Sequence, residues 1–286
     1  MNSDYGTILL DEPLASYTTL KIGGPSARLF FAASEEELSK ILTSFREEPL
    51  ILGAGSNLLI SDRGTHRPVI KLTGHMRTVS RQGNIISAGA GVRLPELLRF
   101  CIAHRLTGLE PFAGIPGSLG GMVKMNASAH GCAVSDYVTQ IEAFTRRGRH
   151  EVIPAERLDF RRRHCALSGA VITRVKLCVR PANKDIRGRI RAVVQRRLRT
   201  QDYRYPSCGC VFRNPSTAPA GKLIDECGLK GLRRGGALIS PVHANFIVNT
   251  GGARYADVDF LISQIRRKVY DRFRVRLKEE VTRWSS

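Results

Sequence analysis

The sequence lacks several features that would decide the class of protein at once. None of the apolar runs in its 286 residues is long enough to span a bilayer. The first residues, MNSDYGTILLDEPL, have neither the basic start nor the long apolar segment of a secretory signal peptide. With 42% hydrophobic and 24% charged residues, the composition is typical of a globular protein, and we expect a cytoplasmic location.

Metal-ligand spacing is also missing. Cys208 and Cys210 have no second cysteine pair nearby, the histidines stand alone, and there is no His-Glu-x-x-His motif. The seven cysteines are an odd number, which argues against a secreted disulfide framework. We therefore predict thiols and no metal site. The pair at Cys208 and Cys210 is then either a redox pair or one working thiol with a bystander.

Acidic residues are scarce beside basic ones, at 25 against 45, and the formal net charge is +20. Six arginines lie between Arg187 and Arg199, and RRRH occupies 161–164. Such a balance favours anionic partners, nucleic acid among them. Yet no helix-turn-helix, zinc-finger or RNA-binding signature occurs, and aromatic residues do not interleave with the basic run. A solvated arginine-rich helix face and a small ligand carrying phosphates are the alternatives.

Short strand and helix patterns run along the whole chain and predict an α+β fold. Residues 27–34 have the pattern of a strand, and Ser34 with Glu37 has the spacing of a capping box that starts a helix. Residues 140–154 predict a hairpin that turns at Gly148. No internal repeat or low-complexity tract is present.

The second half of the chain continues this mixed pattern. An arginine-rich helix is predicted over 185–201, with Leu198 on its apolar stripe, and a long helix from Asp257 to Phe273. A last strand is predicted over 274–281. Boundaries near 72 and 204 divide the chain into three predicted units, 1–72, 73–203 and 204–286.

Two glycine-rich loops carry the clearest ligand signal. The first, ILGAGSNLLISD (51–62), follows a short strand and presents Gly53, Gly55, Ser56 and Asn57, whose backbone amides and side chains offer donors to phosphate. It is not a dinucleotide fingerprint, because Leu58 stands at the third glycine position, and no P-loop lysine follows. An ordinary glycine turn is the plain alternative.

The second loop, AGIPGSLGG (113–121), surrounds Ser118 with four glycines. So much bare backbone is entropically costly unless something must approach closely. A long turn between helix and strand is the plain alternative. The two loops, about 60 residues apart along the chain, together favour one diphosphate ligand.

Several longer sequence motifs indicate a particular protein family more specifically than the two glycine loops do. The stretches TTLKIGGPS, GAGSNLL, AGIPGSLGG, MNASAHG, CGCVFRNP, AGKLIDECGLKG and HANFIVN occur in this order. In order and spacing they resemble the UDP-N-acetylenolpyruvoylglucosamine reductases, the MurB family of peptidoglycan synthesis. The resemblance runs from about Thr18 to Val281, and the lack of a long insertion resembles the shorter, type II form.

The resemblance implies a fold and a reaction. The expected fold is α+β, with an FAD-binding fold of the vanillyl-alcohol oxidase/PCMH type in two subdomains (1–72 and 73–203) and a C-terminal substrate domain (204–286). The implied reaction passes hydride from NADPH, through FAD, to C3 of the enolpyruvyl ether, and a protein acid protonates C2. The implied FAD-binding residues come from both loops: Gly53, Gly55, Ser56, Asn57, Gly114, Ile115, Gly117, Ser118 and Gly120.

The family pattern also implies three catalytic residues. FRRRHC (160–165) places the family's arginine at Arg163, although Arg162 and Cys165 stand where tyrosine and serine are usual, so that Arg162 remains an alternative. LKEEV places the glutamate at Glu280. The proton donor, usually a serine, is here Cys210, and Cys208 is expected to be a loop bystander. A thiol has an ordinary pKa near 8.5 and delivers a proton directly.

Substrate contacts are implied by polar residues inside the matching motifs: Arg213, Asn214, Lys222, His243 and Asn245. The expected partners are small molecules, the enolpyruvyl substrate and NADPH, with no membrane partner, and a monomer is the working expectation. Two rival hypotheses stay open. One is a basic nucleic-acid-binding protein on an inherited flavoprotein fold. The other is a cysteine hydrolase that pairs Cys210 with His243.

Overall fold

The computed structural model describes residues 2–3, 5–167, 169–182 and 185–285. Its helices are α1 (Glu35–Ser44), α2 (Leu94–Ala103), α3 (Leu119–Lys124), α4 (Ile186–Thr200), α5 (Ala220–Glu226) and α6 (Tyr255–Phe273). Its strands, in chain order, are β1 (Asn2–Ser3), β2 (Gly6–Pro13), β3 (Pro25–Ala32), β4 (Leu50–Ile51), β5 (Leu58–Ile60), β6 (Val69–Leu72), β7 (Val79–Gln82), β8 (Ile85–Gly89), β9 (Leu106–Thr107), β10 (Ser128–Ala129), β11 (Cys132–Ala133), β12 (Val138–Phe144), β13 (His150–Pro154), β14 (Asp159–Arg161), β15 (His164–Ala166), β16 (Val171–Cys178), β17 (Arg180–Pro181), β18 (Ser207–Cys210), β19 (Arg233–Arg234), β20 (Ala237–Ile239), β21 (Phe246–Asn249) and β22 (Thr282–Trp284). The predicted α+β class is confirmed.

The chain folds into two compact units, each built from separated segments. Unit one comprises Met1–Leu10, Arg28–Ala54 and Arg67–Arg196. Unit two comprises Asp11–Ala27, Gly55–His66 and Arg197–Ser286. The boundaries near 72 and 204 stay predictions.

Unit one contains an antiparallel sheet in the order β13-β12-β16-β8-β7. In a second sheet, β3 and β4 both pair with β6 in parallel, with Leu29 opposite Val69. The buried side chains of these strands form one apolar core with those of α1 and α2, to which Phe30, Ile86 and Val175 contribute. Burial of such aliphatic and aromatic surface is the main stabilisation of the unit.

Local signals in unit one act as predicted. The hydroxyl of Ser34 accepts a hydrogen bond from the backbone N–H of Glu37, so Ser34 caps α1 where expected. The carboxylate of Glu37 accepts from the N–H of Ala33, one residue before the partner that a capping box would use. The hairpin of β12 and β13 turns at Gly148, which has a φ of 68°. A side chain is disfavoured in that left-handed conformation, which explains the glycine.

Unit two contains the antiparallel sheet β18-β21-β20-β19 and the parallel pair β22 and β5. Apolar side chains of α5 and α6 pack with this sheet into a second core, which includes Phe212, Leu261 and Ile265. Thr19, from the TTLKIGG motif, donates its hydroxyl to the carbonyl of Ser207 at 2.6 Å. The motif therefore helps to hold the start of β18.

Three predicted elements need correction. The last strand lies at 282–284, not 274–281, because the 3-residue parallel pairing with β5 begins only at Thr282. Leu198 is 57% exposed, since only the first three turns of α4 bring apolar side chains to the core. The second glycine loop continues directly into α3, a helix that its four glycines did not indicate.

Among the described residues, no helix combines the length and apolar character needed to cross a membrane.

Candidate active site

The two glycine loops meet in unit one at Gly53 and Ser118. A Cβ built on Gly53 would lie 2.5 Å from the hydroxyl oxygen of Ser118, closer than any real side chain approaches. Ser118 is buried and is the N-cap residue directly before α3. A side chain at position 53 would therefore require the hydroxyl of Ser118 to rotate away from this approach.

The other glycines of the second loop have different roles. Gly114 has a φ of 83° and needs glycine for its turn. A Cβ on Gly120 would lie 2.8 Å from the Cβ of Ala90, so close packing inside the protein already explains this glycine. Gly117 lacks the left-handed conformation, and a Cβ built on it would meet the flexible side chains of Met122, at 3.2 Å, and Ile115, at 3.8 Å. Ile115 packs partly against the core of unit one.

Gly55 is the most constrained position of the first loop. It has a φ of 65°, and an added Cβ would lie 2.2 Å from the carbonyl oxygen of Tyr17. The backbone carbonyl of Gly55 also accepts from the N–H of Thr19 at 3.1 Å. The loop is thus fixed against the 17–19 segment of unit two, which leaves Ser56 and Asn57 at half-buried positions after it.

Replacing Gly55 with alanine is expected to weaken FAD binding about tenfold or more. The left-handed backbone costs a residue with a Cβ roughly 1–2 kcal/mol, and the clash with Tyr17 must also move the loop. The matched control is Gly231→Ala, because Gly231 has a φ of 82° with nothing within 4 Å of an added Cβ. Flavin fluorescence titration measures both variants. Full stoichiometric FAD in the Gly55 variant would show that the loop is wrongly assigned.

The two neighbouring thiols of β18 lie in different surroundings. Cys208 is buried in the core of unit two, and this burial raises the pKa of its thiol to about 12. It lies on a strand and not in a loop as predicted. Cys210 is half-buried at the end of the strand, opposite Phe246, after a bulge in which Gly209 has a φ of 76°. None of the seven cysteines, all within the described residues, forms a disulfide.

The C-terminal segment brings Glu280 beside this strand end. The backbone N–H of Glu280 donates to the carbonyl of Val211, the residue after Cys210, at 2.7 Å. Asn57 donates its side-chain amide to the carbonyl of Glu280 at 3.0 Å. Unit two therefore gathers three sequence-predicted residues, Asn57, Cys210 and Glu280, around one backbone junction.

The carboxylate of Glu279 forms ion pairs with two arginines. Arg283 contacts both of its carboxylate oxygens, at 2.7 and 3.2 Å, and Arg266 approaches at 3.1 Å. Arg283 also donates to the hydroxyl of Tyr255 at 2.8 Å and to Asp259 at 2.5 Å, and so ties the C-terminal segment to α6. This network gives Glu279 a structural role, and Glu280 stays the predicted catalytic glutamate.

Replacing Arg283 with methionine is expected to lower the free energy of unfolding by about 2–4 kcal/mol. The substitution leaves the mostly buried carboxylate of Glu279 with only part of its partners, which is a costly way to break an ion pair. Arg276→Met is the control, since Arg276 is exposed and lies over the ring of Tyr270. Urea unfolding measures both changes. Equal losses in the two variants would contradict the structural role of Arg283.

Arg163 lies in unit one at the turn between β14 and β15, with a φ of 58°. Its guanidinium donates to the carbonyl of Ser128, in the MNASAHG motif, at 3.3 Å. Arg162 in the same turn is exposed, while Cys165 is fully buried in the core. Arg163 stays the predicted catalytic arginine, and Cys165 contributes to the core of unit one.

The residues predicted to contact substrate differ in exposure. Asn245 is 2% exposed, and its side-chain amide accepts from the N–H of Phe212 and donates to the carbonyl of the same residue. This arrangement favours a positioning role for Asn245 at the strand that carries Cys210, and its predicted substrate contact stays a prediction. The ring of His243 accepts from the N–H of Asn245 at 3.3 Å, and burial lowers the pKa of this histidine.

The remaining three predicted contact residues are exposed. Asn214 accepts a hydrogen bond from the N–H of Ala220, the first residue of α5, at 3.0 Å. Lys222 on the same helix approaches Glu226 at 3.8 Å. Arg213 follows the junction with the C-terminal segment, where its N–H donates to Lys278. Their side chains are therefore accessible to an anionic ligand of unit two.

One group of possible metal ligands was not foreseen from the sequence. Glu35, Glu142 and His150 in unit one bring ligand atoms within 4.8 Å of one another. His150 and Glu142 already pair at 3.5 Å across neighbouring strands, which accounts for the approach without an ion. The group carries no assignment.

Comparison with known proteins decides what this site belongs to. Residues 201–284 match the family model described as UDP-N-acetylenolpyruvoylglucosamine reductase, C-terminal domain, and residues 26–153 match that of an FAD binding domain. The reductase 2 of this name from Symbiobacterium thermophilum is 40% identical over 98% of this chain and 93% of its own length. The chain belongs to the UDP-N-acetylenolpyruvoylglucosamine reductase family.

Further relatives agree with this membership. The reductase of Alkalilimnicola ehrlichii is 42% identical over 94% of this chain and 92% of its own length. A crystal structure of the reductase from Thermus caldophilus superposes with a TM-score of 0.85 at 38% identity, covering 98% of both chains. The family resemblance and the fold that it implied are thereby confirmed.

The described residues fit the FAD that the family's FAD binding domain requires. Gly53 and Gly55 hold the first loop where added Cβ atoms would meet Ser118 and the carbonyl of Tyr17, and Ser118 places a hydroxyl at the meeting of the two loops. Sequence reasoning missed Lys71, whose ammonium donates to the carbonyl of Gly53 at 2.9 Å. Its signal was a charged residue inside the buried strand pattern of PVIKL (68–72). The predicted individual contacts to FAD stay predictions.

Proposed function

We propose that this chain catalyses the NADPH-dependent reduction of UDP-N-acetylglucosamine enolpyruvate to UDP-N-acetylmuramate, with FAD as cofactor, in peptidoglycan synthesis. The observation that carries this proposal is the junction in unit two, where the strand end with Cys210 meets the segment with Glu280 inside the matched reductase domain. Bound FAD supplies hydride transfer between NADPH and C3 of the enolpyruvyl group.

In this proposal Cys210 donates the proton that C2 of the substrate receives. Its position supports the role, because the half-buried thiol lies at a strand end while Cys208 is enclosed in the core. A thiol needs other groups to orient it, since it forms only weak hydrogen bonds. The bulge at Gly209 and the clamp between Asn245 and Phe212 fix the backbone on either side of Cys210.

Arg163 and Glu280 act on the charge that develops on the substrate carboxylate. A guanidinium and a hydrogen-bonding carboxyl group that are held before reaction stabilise such charge without rearranging during it. Backbone bonds fix Glu280, and the contact with Ser128 orients Arg163. Arg213, Asn214, Lys222 and His243 are proposed to bind the anionic substrate, and Asn245 to position the strand.

The predicted FAD residues keep their proposed roles with one refinement. Gly53, Gly55, Ser56, Asn57, Gly114 and Ser118 are proposed to face the cofactor. Gly117, Gly120 and Ile115 are proposed to shape the second loop. Close packing inside the protein accounts for Gly120 and Ile115, and the backbone conformation of Gly117 does not require glycine. No observation favours the nucleic-acid or hydrolase alternatives, and neither is proposed.

Steady-state kinetics test the proposed function. Purified protein reconstituted with FAD is expected to oxidise NADPH only when the enolpyruvyl substrate is present, with UDP-N-acetylmuramate as the product in mass spectrometry. Omission of substrate is the control for oxidation by dissolved oxygen. Protein that takes up no FAD, or that oxidises NADPH at the same rate without substrate, contradicts the proposal.

A further inference from the structure

Lys71 lies where the two glycine loops meet in unit one. It belongs to β6, between buried neighbours, and its ammonium group donates to the carbonyl of Gly53 at 2.9 Å. Gly53 is also the residue whose Cβ position lies 2.5 Å from the hydroxyl of Ser118. A lysine ammonium is therefore anchored at the loop residue that contacts the second loop.

The surroundings of Lys71 are positively charged. Arg77 follows on the turn after β6, and Arg93 precedes α2, where its backbone pairs with that of Ser118. Glu96 contacts this group by accepting from the guanidinium of Arg77 at 2.5 Å and from the backbone N–H of Arg93 at 3.1 Å.

These surroundings disfavour a charged lysine in the protein without its cofactor. Burial, followed by repulsion from Arg93 and Arg77, lowers the pKa of Lys71 to about 8. An anion bound at the loops would offset both effects, because it would offer the ammonium a partner of opposite charge.

We propose that Lys71 is a binding residue for the diphosphate of FAD, and that its ammonium charge makes cofactor affinity depend on pH. The inference rests on the proposed use of FAD. It goes beyond that proposal because it names a cationic side chain, in a strand outside both glycine loops, as the group that sets the affinity.

The sign of the pH dependence follows from linkage. An anionic diphosphate favours the protonated lysine, so the pKa of Lys71 is higher in the complex than in the free protein, and binding takes up a proton above pH 8. Affinity is constant well below pH 8. It falls as pH rises above 8, by at most about tenfold per pH unit, until the pKa of the complex is reached.

The test compares FAD dissociation constants of the wild type, Lys71→Arg and Lys71→Met, measured on apo-protein by fluorescence titration from pH 6.5 to 9.5. We expect the dissociation constant of the wild type to rise about tenfold across this range, and that of Lys71→Arg to stay flat, since arginine keeps its charge. Lys71→Met should bind about ten- to a hundredfold more weakly at pH 7, without pH dependence, after loss of a charge-assisted contact.

Lys176→Met is the matched control, because Lys176 is also half-buried on a strand of unit one. It should keep the wild-type affinity and pH profile. The inference is overturned if Lys71→Met binds FAD as tightly as the wild type, or if the pH profile persists in Lys71→Arg. Should Lys71→Met fail to fold by circular dichroism, the comparison of wild type with Lys71→Arg decides alone. Wild-type protein that binds no FAD at any pH would instead overturn the proposed function.

Discussion

Replacing Cys210 with alanine is expected to lower turnover by about a hundred- to ten-thousandfold, the usual range for a positioned proton donor. In the proposed mechanism the thiol is the side-chain proton source at the strand end that meets Glu280, and alanine leaves no replacement there. Cys210→Ser should keep substantial turnover, because a hydroxyl also carries a transferable proton. Stopped-flow spectroscopy should show that the Cys210→Ala variant is slowed after NADPH has reduced the flavin, at the delivery of a proton to C2 of the substrate.

Two controls separate this role from a structural one. Cys208→Ala removes the neighbouring buried thiol and should affect stability and not turnover. Alkylating agents should inactivate the wild type with protection by substrate, whereas alkylation of the exposed Cys178 should leave turnover unchanged. Near-normal turnover in Cys210→Ala, or an equal loss in Cys208→Ala, would remove Cys210 from the mechanism.

Arg163→Ala and Glu280→Gln are each expected to slow the reaction with substrate by about a hundredfold or more. Both changes remove a group that we propose to stabilise the charge developing on the substrate, and the loss of a single such donor slows other enzymes by this much. The rate at which NADPH reduces the flavin should change much less, because no charge develops on the substrate carboxylate in that step. Stopped-flow measurement of the two half-reactions distinguishes these effects.

Arg162→Ala is the matched control for Arg163, since both arginines lie in the same turn and Arg162 is exposed. It should leave both half-reactions intact. A large loss of activity in Arg162→Ala, with a small loss in Arg163→Ala, would show that Arg162 and not Arg163 is the catalytic arginine. Equal damage to both half-reactions in the Glu280 variant would indicate a structural role.

Strong local signals made parts of the fold predictable. The hydroxyl of Ser34 and the glycine at 148 determine how one helix begins and where one hairpin turns, through contacts within a few residues. The last strand was placed eight residues too early, because its pairing with β5 joins segments more than 200 residues apart. Leu198 was placed on a buried stripe because periodicity does not show where a helix leaves its core.

The candidate site was predictable where it depended on motifs and not where it depended on packing. The motif pattern predicted Cys210 and Glu280 separately, and the fold supplied the backbone bonds that bring their segments together. Glycines at 55 and 120 were predicted to approach a ligand, yet contacts with Tyr17 and Ala90 inside the protein also require them. Lys71 was missed because its importance comes from the carbonyl of Gly53, which sequence alone does not place beside it.

Anaerobic mixing of the reconstituted protein with one equivalent of NADPH, followed by the enolpyruvyl substrate, tests the reductase proposal most directly. We expect the flavin absorbance to bleach with NADPH, to stay bleached without substrate, and to return with one equivalent of UDP-N-acetylmuramate when substrate is added. Bleaching that substrate does not reverse, or recovery without that product, would contradict the account.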